Sequence, residues 1–62
     1  MYDVLYFDHT SHCRVLATGL SHDAAVERAR SEARTRRAGR MFLTGSASVP
    51  RRNAVVIIRS GP

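Results

Sequence analysis

The stretch GLSHDAAVERARSEARTRRAG, residues 19–39, decides how the chain is organised. Ser21 is of the residue type that caps a helix, because its hydroxyl accepts a bond from one of the unpaired N–H groups of the first turn. Leu20, just before it, takes the place of a hydrophobic staple. Asp23 and Glu27 lie near the positive end of the helix dipole, and Arg34, Arg36 and Arg37 near its negative end. Gly39 is free to adopt the left-handed conformation that ends a helix. These signals predict one helix from about His22 to Ala38, closed by Gly39. Ala25, Val26, Ala29 and Ala33 recur on one face of it. A face of such small side chains predicts close packing against a sheet, and it leaves the larger strand residues to supply most of the core.

Upstream of the helix, Tyr2 to Phe7 is rich in aromatic and β-branched residues and reads as a strand. The polar break Asp8-His9-Thr10-Ser11-His12 has the length of a hairpin loop. Cys13 to Thr18 follows as a second strand, with Cys13, Val15 and Ala17 on one face and Arg14, Leu16 and Thr18 on the other. Downstream, Arg40 to Thr44 reads as a short third strand, residues 45–53 as a polar loop holding Pro50, Arg51 and Arg52, and Ala54 to Arg59 as a fourth strand. The run from Ala54 to Ile58 is apolar on both faces, which suits an inner position in a sheet. The predicted order is ββαββ. This is an α+β fold in which two β-hairpins form a small antiparallel or mixed four-stranded sheet, with one helix packed on one face. The chain has 62 residues and is expected to form a single domain, residues 1–62.

Composition narrows the function. Cys13 is the lone cysteine, so no disulfide forms within the chain. No basic, apolar leader opens the sequence, and no apolar run approaches the roughly 20 residues of a membrane span. A cytoplasmic protein without membrane association is expected. All ten basic residues are arginine, against five acidic residues, giving a net charge of +5. A basic balance of this size is the electrostatic footprint of nucleic-acid binding. Abundant Arg, Ala, Val and Gly are also what GC-rich codons encode, which points to a high-GC bacterium or one of its phages.

Catalytic chemistry finds little support. Asp8, His9, His12 and Cys13, with His22 and Asp23 beyond, are the densest set of potential metal ligands, but they lack the second Cys or His pair of a structural zinc site. Cys13 and His12 are adjacent in an extended segment and point apart, so the imidazole does not activate the thiol. The carboxylates show no acid–base pairing: Arg28 with Glu32, and Glu32 with Arg36, are i,i+4 helix pairs. The glycines form no phosphate-cradling loop. No enzymatic activity, metal, cofactor or small-molecule substrate is expected.

The arginines are the positive signal. Arg30, Arg34 and Arg37 line up at i, i+4 and i+7 beside the alanine face, Arg40 follows just past Gly39, and Arg51 and Arg52 lie in the second loop. Guanidinium groups bind phosphates in bidentate fashion, so this set predicts contact with the phosphate backbone of DNA or RNA. Tyr2, Tyr6, Phe7 and Phe42 are expected to be core. The competing expectation is a protein-interaction module, such as a phage- or host-encoded inhibitor or accessory subunit, that uses an exposed apolar sheet face. With one helix to cover a two-faced sheet, a homodimer is also expected, its interface including Leu16, Val56 and Ile58.

Overall fold

The computed structural model describes residues 1–38, 40–44 and 52–59. Its elements are β1 (Tyr2–Phe7), β2 (Cys13–Leu20), α1 (His22–Arg36), β3 (Arg40–Thr44) and β4 (Ala54–Arg59). One helix packs on a sheet whose β2, β1 and β4 are antiparallel neighbours, so the fold is α+β. The backbone of β3 runs along the far side of β4 in parallel, giving the strand order β2-β1-β4-β3. Among the described residues, no helix is long and apolar enough to cross a membrane.

The β1–β2 hairpin closes through Asp8. One of its carboxylate oxygens accepts from the Thr10 amide at 2.8 Å, the Thr10 hydroxyl at 2.7 Å and the His12 amide at 3.0 Å. These three donors on one oxygen hold the turn together with two backbone bonds, from the Asp8 amide to the His12 carbonyl and from the Ser11 amide to the Asp8 carbonyl, both at 3.1 Å. The Thr10 hydroxyl also lies 2.7 Å from Nδ1 of His12.

Two β-bulges interrupt β2. Opposite Val4 and Leu5 of β1 stand Ala17 and Val15, which leaves Leu16 as an extra residue. Opposite Tyr2 and Val4 stand Leu20 and Ala17, so Thr18 and Gly19 share the place facing Asp3. Gly19 has φ +67°, and its amide donates to the Asp3 carboxylate at 3.2 Å. Only glycine takes that conformation without steric cost, which is why the second bulge falls there. The bulges break the simple alternation expected for this strand. Leu16 and Ala17 both pack on the helix side, whereas Val15 is left on the outer face with 58% of its surface exposed.

The core lies between α1 and the inner face of the sheet. Ala25 and Ala29 are fully buried against Val4, Val55 and Ile57, with Tyr2, Tyr6, Leu16, Leu20 and Val26 packed around them. Alanines at i and i+4 let the helix axis approach the sheet closely, and the strand side chains fill the space on either side. Each buried Val or Ile contributes about 1.5–3 kcal/mol relative to exposure. Ala54, Val55, Val56 and Ile57 are all buried, so β4 is shielded on both faces.

Two expectations are corrected. The first is the second β-hairpin, because β3 and β4 are parallel, with Arg40 in register with Ala54 and Thr44 with Ile58. The direction of β4 is set by its full antiparallel pairing with β1, from Tyr2 opposite Arg59 to Phe7 opposite Ala54. The helix ends at the edge of the sheet where β4 begins, and β3 follows the helix directly. It must therefore set off from the same end and run the same way.

The second is the helix end. The helix stops at Arg36, and Arg37 takes the left-handed conformation of the cap, at φ 53°, ψ 35°, before the chain reaches Gly39, which lies outside the described residues. The Arg37 amide bonds to the Arg34 carbonyl at 3.3 Å and the Ala38 amide to the Ala33 carbonyl at 2.9 Å. This pair of bonds is a Schellman closure. Ala33 and Ala38 both pack against the core, and that burial fixes the stop two residues before the glycine, despite the left-handed strain on Arg37.

Candidate nucleic-acid interface

The helix start is as the capping signals require. Ser21 is extended, and its hydroxyl accepts the Ala24 amide at 3.2 Å. From this start, helical geometry sorts the arginines into two groups on opposite flanks of α1.

The first group is spent on the fold. Glu32 receives Arg28 Nε at 2.8 Å on one carboxylate oxygen and Arg36 Nε at 3.0 Å on the other. Arg28 also donates through Nη2 to the main-chain carbonyl of Leu16 at 3.3 Å. The Arg36 guanidinium lies over the Tyr6 ring, 4.9 Å from its centroid, in a cation–π contact. The Arg28 hydrogen bond does most to hold the Glu32 carboxyl below its usual range; partial burial opposes this and Arg36 adds to it. This flank of the helix is thereby clamped to β2 and β1. The i,i+4 spacing around Glu32 was the sequence signal for it, but spacing alone did not show that both arginines also reach the sheet.

The second group is turned outward. Arg30, Arg34 and Arg37 are exposed, on the flank of α1 away from β2. Arg30 Nη1 lies 3.8 Å from the Glu27 carboxylate, with both side chains largely in water, so the pair holds Arg30 only weakly. Arg37, being left-handed, leaves the helical spiral, so the i, i+7 alignment does not extend to it.

Arg52 is brought to the same end of the molecule. Its neighbour Asn53 has φ 47°, a conformation asparagine tolerates, and donates through Nδ2 to the Arg37 carbonyl at 3.4 Å. The Asn53 amide donates to the Asp8 carbonyl at 3.2 Å, tying the start of β4 to the first hairpin. Arg52 is exposed beside this junction. The parallel pairing of β3 sets the Arg40 backbone in register with Ala54, two residues beyond Arg52. An antiparallel pair would have carried Arg40 to the opposite end of the sheet. The side chain of Arg40, and Arg51 altogether, lie outside the described residues.

The helix dipole gives this end partial negative charge, which suits the arginines but adds nothing for a phosphate. Any anion held here is held by the guanidinium groups. The acidic residues of the outer helix surface, Asp23 and Glu27, lie in its N-terminal half, so the outward positive charge is concentrated in the C-terminal half.

The expected partner residues are redistributed. Leu16 is not on the outer face, because the bulge turns it towards the helix. Val56 has no exposed surface, since β4 is shielded on both faces, and it offers nothing to a partner. Ile58 is half-buried. Val15, which simple alternation grouped with Ala17, is exposed on the outer face, and its register partner Leu5 and the nearby Phe7 are half-buried on the same face.

Cys13 is exposed at the start of β2. Among the described residues, no group of three or more His, Cys, Asp or Glu side chains is placed to hold a metal ion. No family model matches the chain, and neither a curated protein nor a solved structure matches it.

Proposed function

We propose that this chain is a small non-enzymatic protein of the cytoplasm that binds nucleic acid through its outward arginines. The observation that carries this reading is the bond from Asn53 to the Arg37 carbonyl, which gathers Arg52 and the end of α1 into one region with Arg34 and Arg30 along the adjoining flank. Three to four guanidinium groups in one region make a backbone-contact surface, and each phosphate they meet releases condensed counterions. The frame for this surface is the full ββαββ arrangement, with Arg40–Thr44 completing it beside β4. Arg28 and Arg36 belong to the fold rather than to the interface, because Glu32 already engages both.

The experiment is a salt titration of binding. Affinity for DNA or RNA falls as salt rises, with a slope of about −0.9 per phosphate contacted on a duplex. Replacing Arg30, Arg34 and Arg37 together by Gln flattens that slope by up to about three units. Binding that the triple substitution leaves unchanged would falsify the reading.

A second reading, favoured by the exposure of Val15, is self-association through the outer face of β1 and β2. The outward positions of that face are Asp3, Leu5, Phe7, Cys13 and Val15, and none is an arginine. A molecule of net charge +5 meets a second copy with least repulsion across a face of this kind. This replaces an interface built on Leu16 and Val56. It is compatible with the first reading, because the arginine surface lies on the helix side.

A further inference from the structure

We propose that the arginine surface takes the backbone of a double helix rather than an unpaired strand. The proposal rests on the nucleic-acid reading above and specifies the substrate class for it.

Proteins that hold single strands pair a basic groove with aromatic rings on which bases stack. Among the described residues, both tyrosines are engaged elsewhere and Phe7 is half-buried on the outer sheet face, away from the arginines; the side chain of Phe42 lies outside the described residues. Tyr2 sits under the start of the helix, edge-on to the His22 ring at 5.4 Å between centroids. Tyr6 packs on the core, and the face a base would use is occupied by the Arg36 guanidinium at 4.9 Å. Arg36 is itself fixed by Glu32 at 3.0 Å, so uncovering the ring means breaking an ion pair as well as a cation–π contact. The clamp also lies on the opposite flank of α1 from Arg30 and Arg34. Stacking on Tyr6 and phosphate contact by those arginines therefore do not serve the same strand.

The charges themselves suit a rigid partner. Arg30 and Arg34 are separated by four residues of regular helix, a rise of about 6 Å, and cannot shift independently of one another at the backbone. A duplex meets this fixed row with a fixed row of phosphates. An unpaired strand must first be ordered, at a cost in conformational entropy. Each contact also gains more from a duplex, where counterion release gives a slope of about −0.9 per phosphate against about −0.7 on a single strand. Ser31, three residues before Arg34 on the helix surface, is exposed and short enough to let the backbone approach, with a hydroxyl able to bond a phosphate oxygen. Asp23 and Glu27 repel phosphate from the N-terminal half, so the duplex lies across the C-terminal half of α1 and the Arg52 turn.

Fluorescence anisotropy on the full chain tests this with three labelled probes of about 20 nucleotides per strand, a DNA duplex, an RNA duplex and oligo-dT, in about 50 mM salt. At least one duplex is expected to bind about tenfold or more tightly than oligo-dT, and the stronger duplex identifies the source of the backbone. Oligo-dT binding as tightly as both duplexes overturns the duplex inference while leaving the arginine reading standing. Failure of all three probes to bind overturns both. Tyr6→Leu provides a second readout: oligo-dT affinity that falls while duplex affinity holds would show stacking at Tyr6 and count against the inference.

Discussion

Arg28 reaches from the helix to the main-chain carbonyl of Leu16, 3.3 Å away, at the point where β2 carries an extra residue. A bulge leaves one residue outside the ladder, and its polar groups need partners from elsewhere. The same guanidinium binds Glu32, so a single side chain joins the helix surface to the edge strand. Arg28→Ala removes both bonds. Because the side chain is partly in water, we expect a loss of about 1 kcal/mol, whereas Arg34→Ala, on the exposed flank, changes stability by less than about 0.5 kcal/mol. Urea unfolding of the two variants makes the comparison. Equal stabilities would show that Arg28 does not secure the bulge.

Arg37 separates stability from binding. Its left-handed backbone costs a non-glycine residue about 1–2 kcal/mol, part of which glycine gives back through its larger unfolded-state entropy. Arg37→Gly is expected to stabilise the chain by about 0.5–1 kcal/mol while making the salt dependence of nucleic-acid binding shallower by about one unit. Thermal melts and a salt titration read the two effects on one protein. A destabilised variant would mean that the Schellman closure does not place Arg37 as described.

Asp8 gives the fold an acid limit. The Thr10 hydroxyl is the largest influence lowering its carboxyl below the ordinary 3.8, followed by the His12 amide. The group thus binds its proton more weakly folded than unfolded. The stability it contributes is fully present above the unfolded value and is lost as pH falls through the lower folded one. Glu32, lowered from 4.5, acts in the same direction. Melting temperature is expected to fall as pH drops below about 4, and Asp8→Ala to melt lower at neutral pH with a shallower acid decline. An acid limb of unchanged steepness in the variant would assign the loss to other carboxylates.

Self-association is tested at Val15. If a second copy covers the outer face of β1 and β2, light scattering after size exclusion gives a dimer mass at micromolar concentration. Val15→Glu then gives a monomer, because burying an unpaired charge at the centre of that patch is strongly unfavourable. Val15 is 58% exposed, so the variant should melt close to the mass-matched wild type. A wild-type monomer across that concentration range would remove the dimer.

What the sequence determined on its own is what local physics controls. The Ser21 cap, the alanine face and the strand runs at Tyr2–Phe7 and Ala54–Arg59 are set by hydrogen bonding within a turn and by side-chain period, so they could be read before any contact was known. The outward placement of Arg30 and Arg34 follows from the same period. Contacts between distant residues decided the rest. Ala17 left the face it was expected to share with Val15 and joined Leu16 on the helix side because pairing with β1 leaves two extra residues in β2, and one extra residue is enough to reverse a face. The helix stopped at Arg36, short of the expected Ala38, because Ala38 packs against the core and Asn53 bonds the Arg37 carbonyl. β3 runs parallel to β4 because β1 fixes the direction of β4 and the helix delivers the chain to the end where β4 starts. Each of these outcomes depends on where a residue far along the chain comes to lie, and neither period nor capping carries that information.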